Sequence, residues 1–218
     1  TKQAIFKQLD QLCPERTIFV IYSSGLRPTA VAEAISRKDK FVVAHFWNPP
    51  HLVPLVEVVP GKYTDQKTVD VTWALMEMIG KKPVALKREA LGFIGNRLQL
   101  AMLREALYIV QEGIATPEAV DATVRYSLGR RYGVTGPLES ADLGGLDIFQ
   151  NISSYLYKDL CNDPVSSPLL AETVARGDLG SKTGKGFYDW TKPEVLGKLK
   201  KDREAVLIEW LQKDKGQK

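Results

Sequence analysis

The sequence predicts an α/β part over residues 1–90 followed by an all-helical part over residues 91–218. Up to about residue 90, short apolar runs rich in β-formers alternate with helical periodicity. Beyond it the strong apolar patterns repeat at helical spacing, as in Leu100, Leu103, Leu107 and Val110. The chain has 218 residues, 44% of them hydrophobic, which suffices for one large domain or two small ones. Strands alternating with helices favour α/β layers, whereas a run of helices packs on itself.

Taken in order, Phe6, Leu9 and Leu12 mark an amphipathic helix that stops before Pro14. The apolar run Thr17 to Tyr22 reads as a strand, and Ser23-Ser24-Gly25 breaks it. Pro28 opens a helix expected to reach about Ser36. Two more strands come next: Phe41 to Phe46, ended by Asn48-Pro49-Pro50, and Leu55 to Val59, ended by Pro60-Gly61. Helical periodicity from about Asp65 to Ile79 closes at Gly80, and Pro83 to Leu86 forms one more strand. In the second part a helix runs from Asn96 to Val110 and stops at Gly113. Thr116-Pro117-Glu118 supplies a cap, a first-turn proline and an acid for the next helix. Further helices are expected over Leu138 to Leu160, Ser167 to Arg176 and Lys192 to Gln212.

Composition narrows the function. No apolar run approaches a membrane span, and Cys13 and Cys161 suit a reducing compartment rather than a disulfide framework, so a cytoplasmic protein without a membrane partner is expected. The net charge of +4 is modest. Lys198, Lys200, Lys201 and Arg203 are interleaved with acids and read as a solvated helix face. A nucleic-acid partner would need a broader basic surface with aromatic stacking groups. Gly180 to Phe187 misses the spacing of a phosphate loop and follows a helix rather than a strand.

Two histidines are present. Imidazole is the usual group for moving a proton near neutral pH. His45 sits at the carboxy end of a strand, where open α/β sheets bind ligands. Glu57 lies inside an otherwise apolar strand, and a carboxylate there needs a partner. If the two strands are neighbours, His45 and Glu57 pair; if Glu57 faces out of an edge strand, it is merely solvated. His51 follows two prolines and reads as a surface loop residue. Ser23 and Ser24 follow the first strand and suit either a turn or a substrate hydroxyl or cofactor ribose. Asn96 reads either as a helix cap or as an amide that positions substrate.

The block His45-Phe46-Trp47-Asn48-Pro49-Pro50 followed by Pro54-Leu55-Val56-Glu57-Val58 resembles the signature of the L-3-hydroxyacyl-CoA dehydrogenase family. Gly92-Phe93-Ile94, Asn96-Arg97, Glu112-Gly113, Gly136-Pro137 and Gly184-Lys185-Gly186-Phe187-Tyr188 fall in the same order as the family's landmarks. The resemblance implies a Rossmann-type NAD domain, then a helical domain of the 6-phosphogluconate dehydrogenase C-terminal-like type that forms a homodimer. It implies His45 as catalytic base, Glu57 as the carboxylate orienting it, Ser24 between cofactor and substrate, and Asn96 on the substrate oxygen. Asn48 and Lys182, with Ser24, match positions that contact NAD. The implied reaction oxidises a small-molecule substrate, an L-3-hydroxyacyl-CoA, to the 3-ketoacyl-CoA.

Two features depart from the family. The chain contains no GxGxxG, so residues 1–90 are expected to be the later part of the NAD domain, and the isolated chain to bind NAD poorly and be inactive. The stretch Tyr22-Ser23-Ser24-Gly25-Leu26-Arg27-Pro28 is similar to the lambda-crystallin and L-gulonate 3-dehydrogenase branch, which implies two alternatives: oxidation of a free 3-hydroxy acid, or a structural protein that has kept the fold.

Overall fold

A computed structural model describes residues 2–22 and 27–216. The first compact unit comprises the residues up to Gln99 together with those from Gly197 onward; the second runs from Leu100 to Leu196.

In the first unit, helix α1 (Lys2–Leu12) precedes strand β1 (Phe19–Ile21), α2 (Pro28–Ala32), β2 (Phe41–Phe46), β3 (Leu55–Pro60), α3 (Gln66–Met78) and β4 (Lys82–Ala85). The four strands form one sheet in the order β1-β2-β3-β4. β1 runs parallel to β2 and β3 parallel to β4, but β2 and β3 are antiparallel. Chain length explains the reversal. α2 and α3 serve as crossovers for the parallel pairs, while the short link from Trp47 to Pro54 holds no helix and leaves only the antiparallel return.

Strand alternation divides the sheet's side chains between two faces. Val43 and Val59 join Phe41 in a cluster with Phe6 of α1, Val31 and Ala32 of α2, and Phe93. Phe6 meets Phe41 edge-on, with centroids 5.0 Å apart. On the other face Val42 and Val58 pack against Val69 of α3, and Ala44 and Val56 against Met76. Each large apolar side chain so buried contributes about 1.5–3 kcal/mol. His45 and Glu57 belong by parity to the face of Val43 and Val59, and both are buried.

Two carboxylates fasten this unit. Asp65 caps α3 by accepting the Thr68 N–H at 2.7 Å, and its hydrogen bonds with Thr68 hold its carboxyl below the usual range. Asp10 accepts from the Ser36 N–H at 2.6 Å, the Ser36 hydroxyl at 2.7 Å and the Arg37 Nε at 2.7 Å. Burial alone would raise its pKa, but those donors outweigh burial and lower it to about 2. The helix expected to reach Ser36 ends at Ala32. Ser36 instead lies where its N–H and hydroxyl meet Asp10.

Helix α4 (Gly95–Gln111) is followed by α5 (Pro117–Thr123), capped by the Thr116 hydroxyl, with Pro117 in its first turn. A wide helical turn over Val124–Leu128 and the short α6 (Gly129–Tyr132) come next. The single helix expected from Leu138 to Leu160 is two, α7 (Pro137–Gly144) and α8 (Leu146–Leu156). They break at Gly145, whose φ of 94° suits only a glycine. α9 (Pro168–Ala175) and α10 (Pro193–Gly216) complete the chain. Tyr188 donates its hydroxyl to Asp121 of α5 at 2.7 Å; burial and then that carboxylate push its pKa up to about 12. Among the described residues no helix is long and apolar enough to cross a membrane.

Candidate active site

The antiparallel register puts His45 directly opposite Glu57. His45 Nδ1 and Glu57 Oε2 lie 2.7 Å apart, and the Glu57 side chain is wholly buried. Glu57 is therefore not a solvated edge residue. Its second oxygen, Oε1, accepts the backbone N–H groups of Ile94 at 2.9 Å and Gly95 at 3.0 Å. These are the first donors at the amino end of α4, where unpaired N–H groups and the helix dipole favour negative charge. The Trp47 indole N–H adds a longer contact, 3.3 Å, to Oε2. A carboxylate accepts only, so four converging donors match its ionised form.

This cradle depends on two features that lie far from Glu57 in sequence. Gly92 and Phe93 both have positive φ, 77° and 54°. A buried aromatic residue in the left-handed region is strained, at a cost of about 1–3 kcal/mol. The resulting bend aims successive N–H groups of the helix start at Glu57. Gly95 is the second feature. A Cβ there would sit 2.1 Å from the Trp47 ring, so glycine leaves the space the indole occupies. Trp47, Phe93 and Gly95 carry no local signal of this role, since each matters only through contacts across 37 residues or more of chain or through the Glu57 bond.

His45 Nδ1 is engaged; Nε2 makes no hydrogen bond among the described residues. No buried side-chain polar atom among them lacks a partner, so Nε2 opens to the surface. The ring is flanked by Tyr22 in a stacked arrangement at 6.4 Å, Phe93 at 5.5 Å and Trp47 at 5.7 Å. With Nδ1–H donated to Glu57, the free nitrogen carries the lone pair, which is the arrangement a general base needs. Asn96 is the second residue of α4 rather than its cap: Glu57, from a distant strand, performs the capping. The Asn96 amide is half-buried and has no hydrogen bond among the described residues, which leaves it available to a ligand. His51 is exposed on its loop.

The sequence also matches models of known families. Residues 1–90 match the 3-hydroxyacyl-CoA dehydrogenase NAD binding domain, and residues 92–190 match the C-terminal domain of the same enzymes. The chain belongs to the 3-hydroxyacyl-CoA dehydrogenase family. It is 34% identical over 207 residues to 5-formyl-3-hydroxy-2-methylpyridine 4-carboxylate 5-dehydrogenase of Mesorhizobium japonicum, covering 95% of this chain and 67% of that protein. It is 38% identical over 192 residues to 3-hydroxybutyryl-CoA dehydrogenase of Clostridioides difficile, covering 88% and 67%. A crystal structure of a 5-formyl-3-hydroxy-2-methylpyridine 4-carboxylic acid 5-dehydrogenase, described as an NAD+-dependent dismutase, superposes with a TM-score of 0.93. That match has 33% identity and covers 99% of this chain and 69% of the other. The chain thus spans about two-thirds of the length of these relatives.

Family membership makes this an oxidoreductase chain with NAD as its cofactor and a Rossmann-type first domain. Of the residues expected to touch NAD, Asn48 is exposed just past the carboxy end of β2, and Lys182 is exposed in the helical unit. Neither side chain has a hydrogen-bond partner among the described residues. Ser24 lies outside the described residues. No GxGxxG diphosphate loop occurs in the sequence.

Proposed function

We propose that the protein oxidises an L-3-hydroxyacyl-CoA to the 3-ketoacyl-CoA, with His45 as general base and Glu57 as the group that holds it. The buried pair at 2.7 Å carries this reading, with Glu57 fixed by helix α4 and the free Nε2 open to the surface. His45 Nε2 takes the proton of the substrate hydroxyl. Asn96 donates its amide N–H to the substrate oxygen, favouring the developing carbonyl. The imidazolium that forms faces the Glu57 carboxylate, so charge separation is small at the moment of transfer. Asn48, Lys182 and Ser24 would help to hold NAD, which when bound would supply the hydride acceptor for C3. In reduction His45 returns the proton.

A second reading is favoured by one comparison: the relative similar over 95% of the chain is named for a compact carboxylated pyridine and not for a thioester. On that reading the substrate is a free acid, with L-gulonate the first 3-hydroxy acid to try. The proton chemistry at His45 is the same. NADH oxidation by the full-length protein with acetoacetyl-CoA separates the two. Rapid oxidation supports the thioester, while no oxidation by folded, NADH-binding protein refutes it in favour of free acids.

The same protein is proposed to act as a homodimer through its helical unit. Between Leu100 and Leu196 only Leu107 and Thr173 are buried, while Leu138, Leu143, Leu146, Ile148 and Phe149 are exposed. A unit with so little core of its own is covered by a second copy. Light scattering of the full-length protein at micromolar concentration is expected to give twice the chain mass; a monomer would refute this.

A further inference from the structure

We propose that Lys81 is a positioning residue for cofactor binding: it ties down the loop from Trp47 to Pro54 and so holds Asn48 where it contacts NAD. The inference rests on the reading of Asn48 above and adds to it a residue from another element. Lys81 lies in the turn between α3 and β4, where Gly80, with a φ of 77°, reverses the chain. Its ammonium donates to the Pro50 carbonyl and, at 3.3 Å, to the Val53 carbonyl. The same nitrogen stands over the Phe46 ring, 5.8 Å from its centroid. Lys81 is in no ion pair among the described residues.

The loop needs a donor from outside. It contains Pro49, Pro50 and Pro54, and a proline has no backbone N–H to give. The backbone bonds within it run from Leu52 at 3.1 Å and Val53 at 3.0 Å, and both end on the Pro49 carbonyl. The carbonyls of Pro50 and Val53 take the lysine instead. An ammonium has three N–H donors and no acceptor, so it serves both carbonyls and still turns its charge to the aromatic face. The register brings Lys81 within reach. Leu55 of β3 pairs with Lys82 of β4, and the Lys82 N–H donates to the Pro54 carbonyl at 2.9 Å. Lys81 is thus level with the loop's carboxy end, and its long stem reaches back along Phe46 to Pro50.

The loop carries function at its other end. Trp47 gives its indole N–H to Glu57 at 3.3 Å, and the exposed Asn48 follows it, close in sequence to the tied Pro50 carbonyl. A loop already held in one arrangement loses little further freedom when a ligand binds, whereas a loose one lowers affinity by the cost of ordering it. The positive charge of Lys81 also attracts an anionic cofactor at long range, but that effect follows charge alone and any nearby lysine shares it. Lys82, exposed and next in sequence, tells the two effects apart.

The test is full-length Lys81→Met, with Lys81→Arg and Lys82→Met beside it. NADH affinity is read by fluorescence titration, and the loop by hydrogen–deuterium exchange of the Leu52 and Val53 amides with no cofactor added. Lys81→Met should weaken NADH about fivefold or more and speed exchange of those amides about tenfold or more. Lys81→Arg still donates to both carbonyls and should restore NADH affinity to within about twofold of the parent, and Lys82→Met should stay within the same range. Lys81→Gln, which keeps one donor group, should lie between them and carries the test if Lys81→Met does not fold. Unchanged exchange or unchanged NADH affinity in the folded variant overturns the proposal, and an equal loss in Lys82→Met overturns it in favour of charge alone. Asn48→Ala separates the tie from the reading it rests on. If Asn48→Ala weakens NADH and Lys81→Met adds less than about twofold on that background, the route through Asn48 is supported, and a fully additive loss overturns it. Normal NADH affinity in Asn48→Ala refutes the Asn48 contact, and the proposal with it, even where exchange shows the loop tied.

Discussion

Replacing Glu57 by glutamine preserves the side chain's shape and removes its charge, and the hydrogen bonds around it determine the consequence. The carboxylate accepts on both oxygens: Ile94 and Gly95 N–H on one, His45 and Trp47 on the other. A glutamine amide offers one acceptor and one donor. Turned toward the helix, its NH2 would face two backbone N–H groups with no escape. Turned toward His45, it orphans only the Trp47 N–H, and His45 adapts by moving its proton from Nδ1 to Nε2. The second arrangement is the cheaper one, and it abolishes the base. The two helix bonds pass from charged to neutral strength, about 1 kcal/mol each, and the orphaned indole adds about 1 kcal/mol. Denaturant unfolding of full-length Glu57→Gln at pH 7 should therefore show a loss of about 3 kcal/mol. Turnover should fall by about 10³–10⁴, the scale seen when a triad histidine is held in the wrong tautomer. Turnover within about threefold of the parent, in a folded variant with this stability loss, would refute the tautomer argument.

Gly95→Ala should push the Trp47 indole off Glu57 and destabilise the protein by about 1–3 kcal/mol. Adding Trp47→Phe removes part of the ring the new methyl strikes, so a double-mutant cycle by thermal unfolding should show non-additivity of about 1 kcal/mol, and strict additivity would count against the contact. Asp10→Asn should lower stability at neutral pH but not near pH 2. The carboxyl's folded pKa is depressed to about 2, so its contribution is present above the unfolded value near 3.8 and fades as pH falls between the two. Unfolding curves of parent and variant that fail to converge over that window would contradict this. Tyr188, raised to about 12, should ionise late in a spectroscopic titration; its contribution to stability is full below about 10, the ordinary tyrosine value, and is lost as pH rises through 12.

The strands were the legible part of the fold. Phe41–Phe46 is bounded as the apolar run suggests, and Asp65 caps α3 where the pattern placed the helix start. These signals are local. What the sequence hides is set by distant contacts. Helix α4 starts at Gly95 because a carboxylate from β3 satisfies its first N–H groups, and nothing near residue 95 encodes that partner. The break at Gly145 was hidden because the apolar residues on either side keep helical spacing across it. The His45–Glu57 proximity was half legible. An acid inside an apolar strand demands a partner, but only the antiparallel register decides that the partner is His45. Trp47 was invisible because its donor role depends on empty space at Gly95.

The most direct test of His45 as the base is the turnover of full-length His45→Gln with acetoacetyl-CoA and NADH, measured beside its NADH affinity. A fall in kcat of about 10²–10⁴ with NADH affinity unchanged within about twofold is expected. Turnover within about threefold of the parent would show that the proton moves without His45 and would contradict the mechanism built on the buried pair.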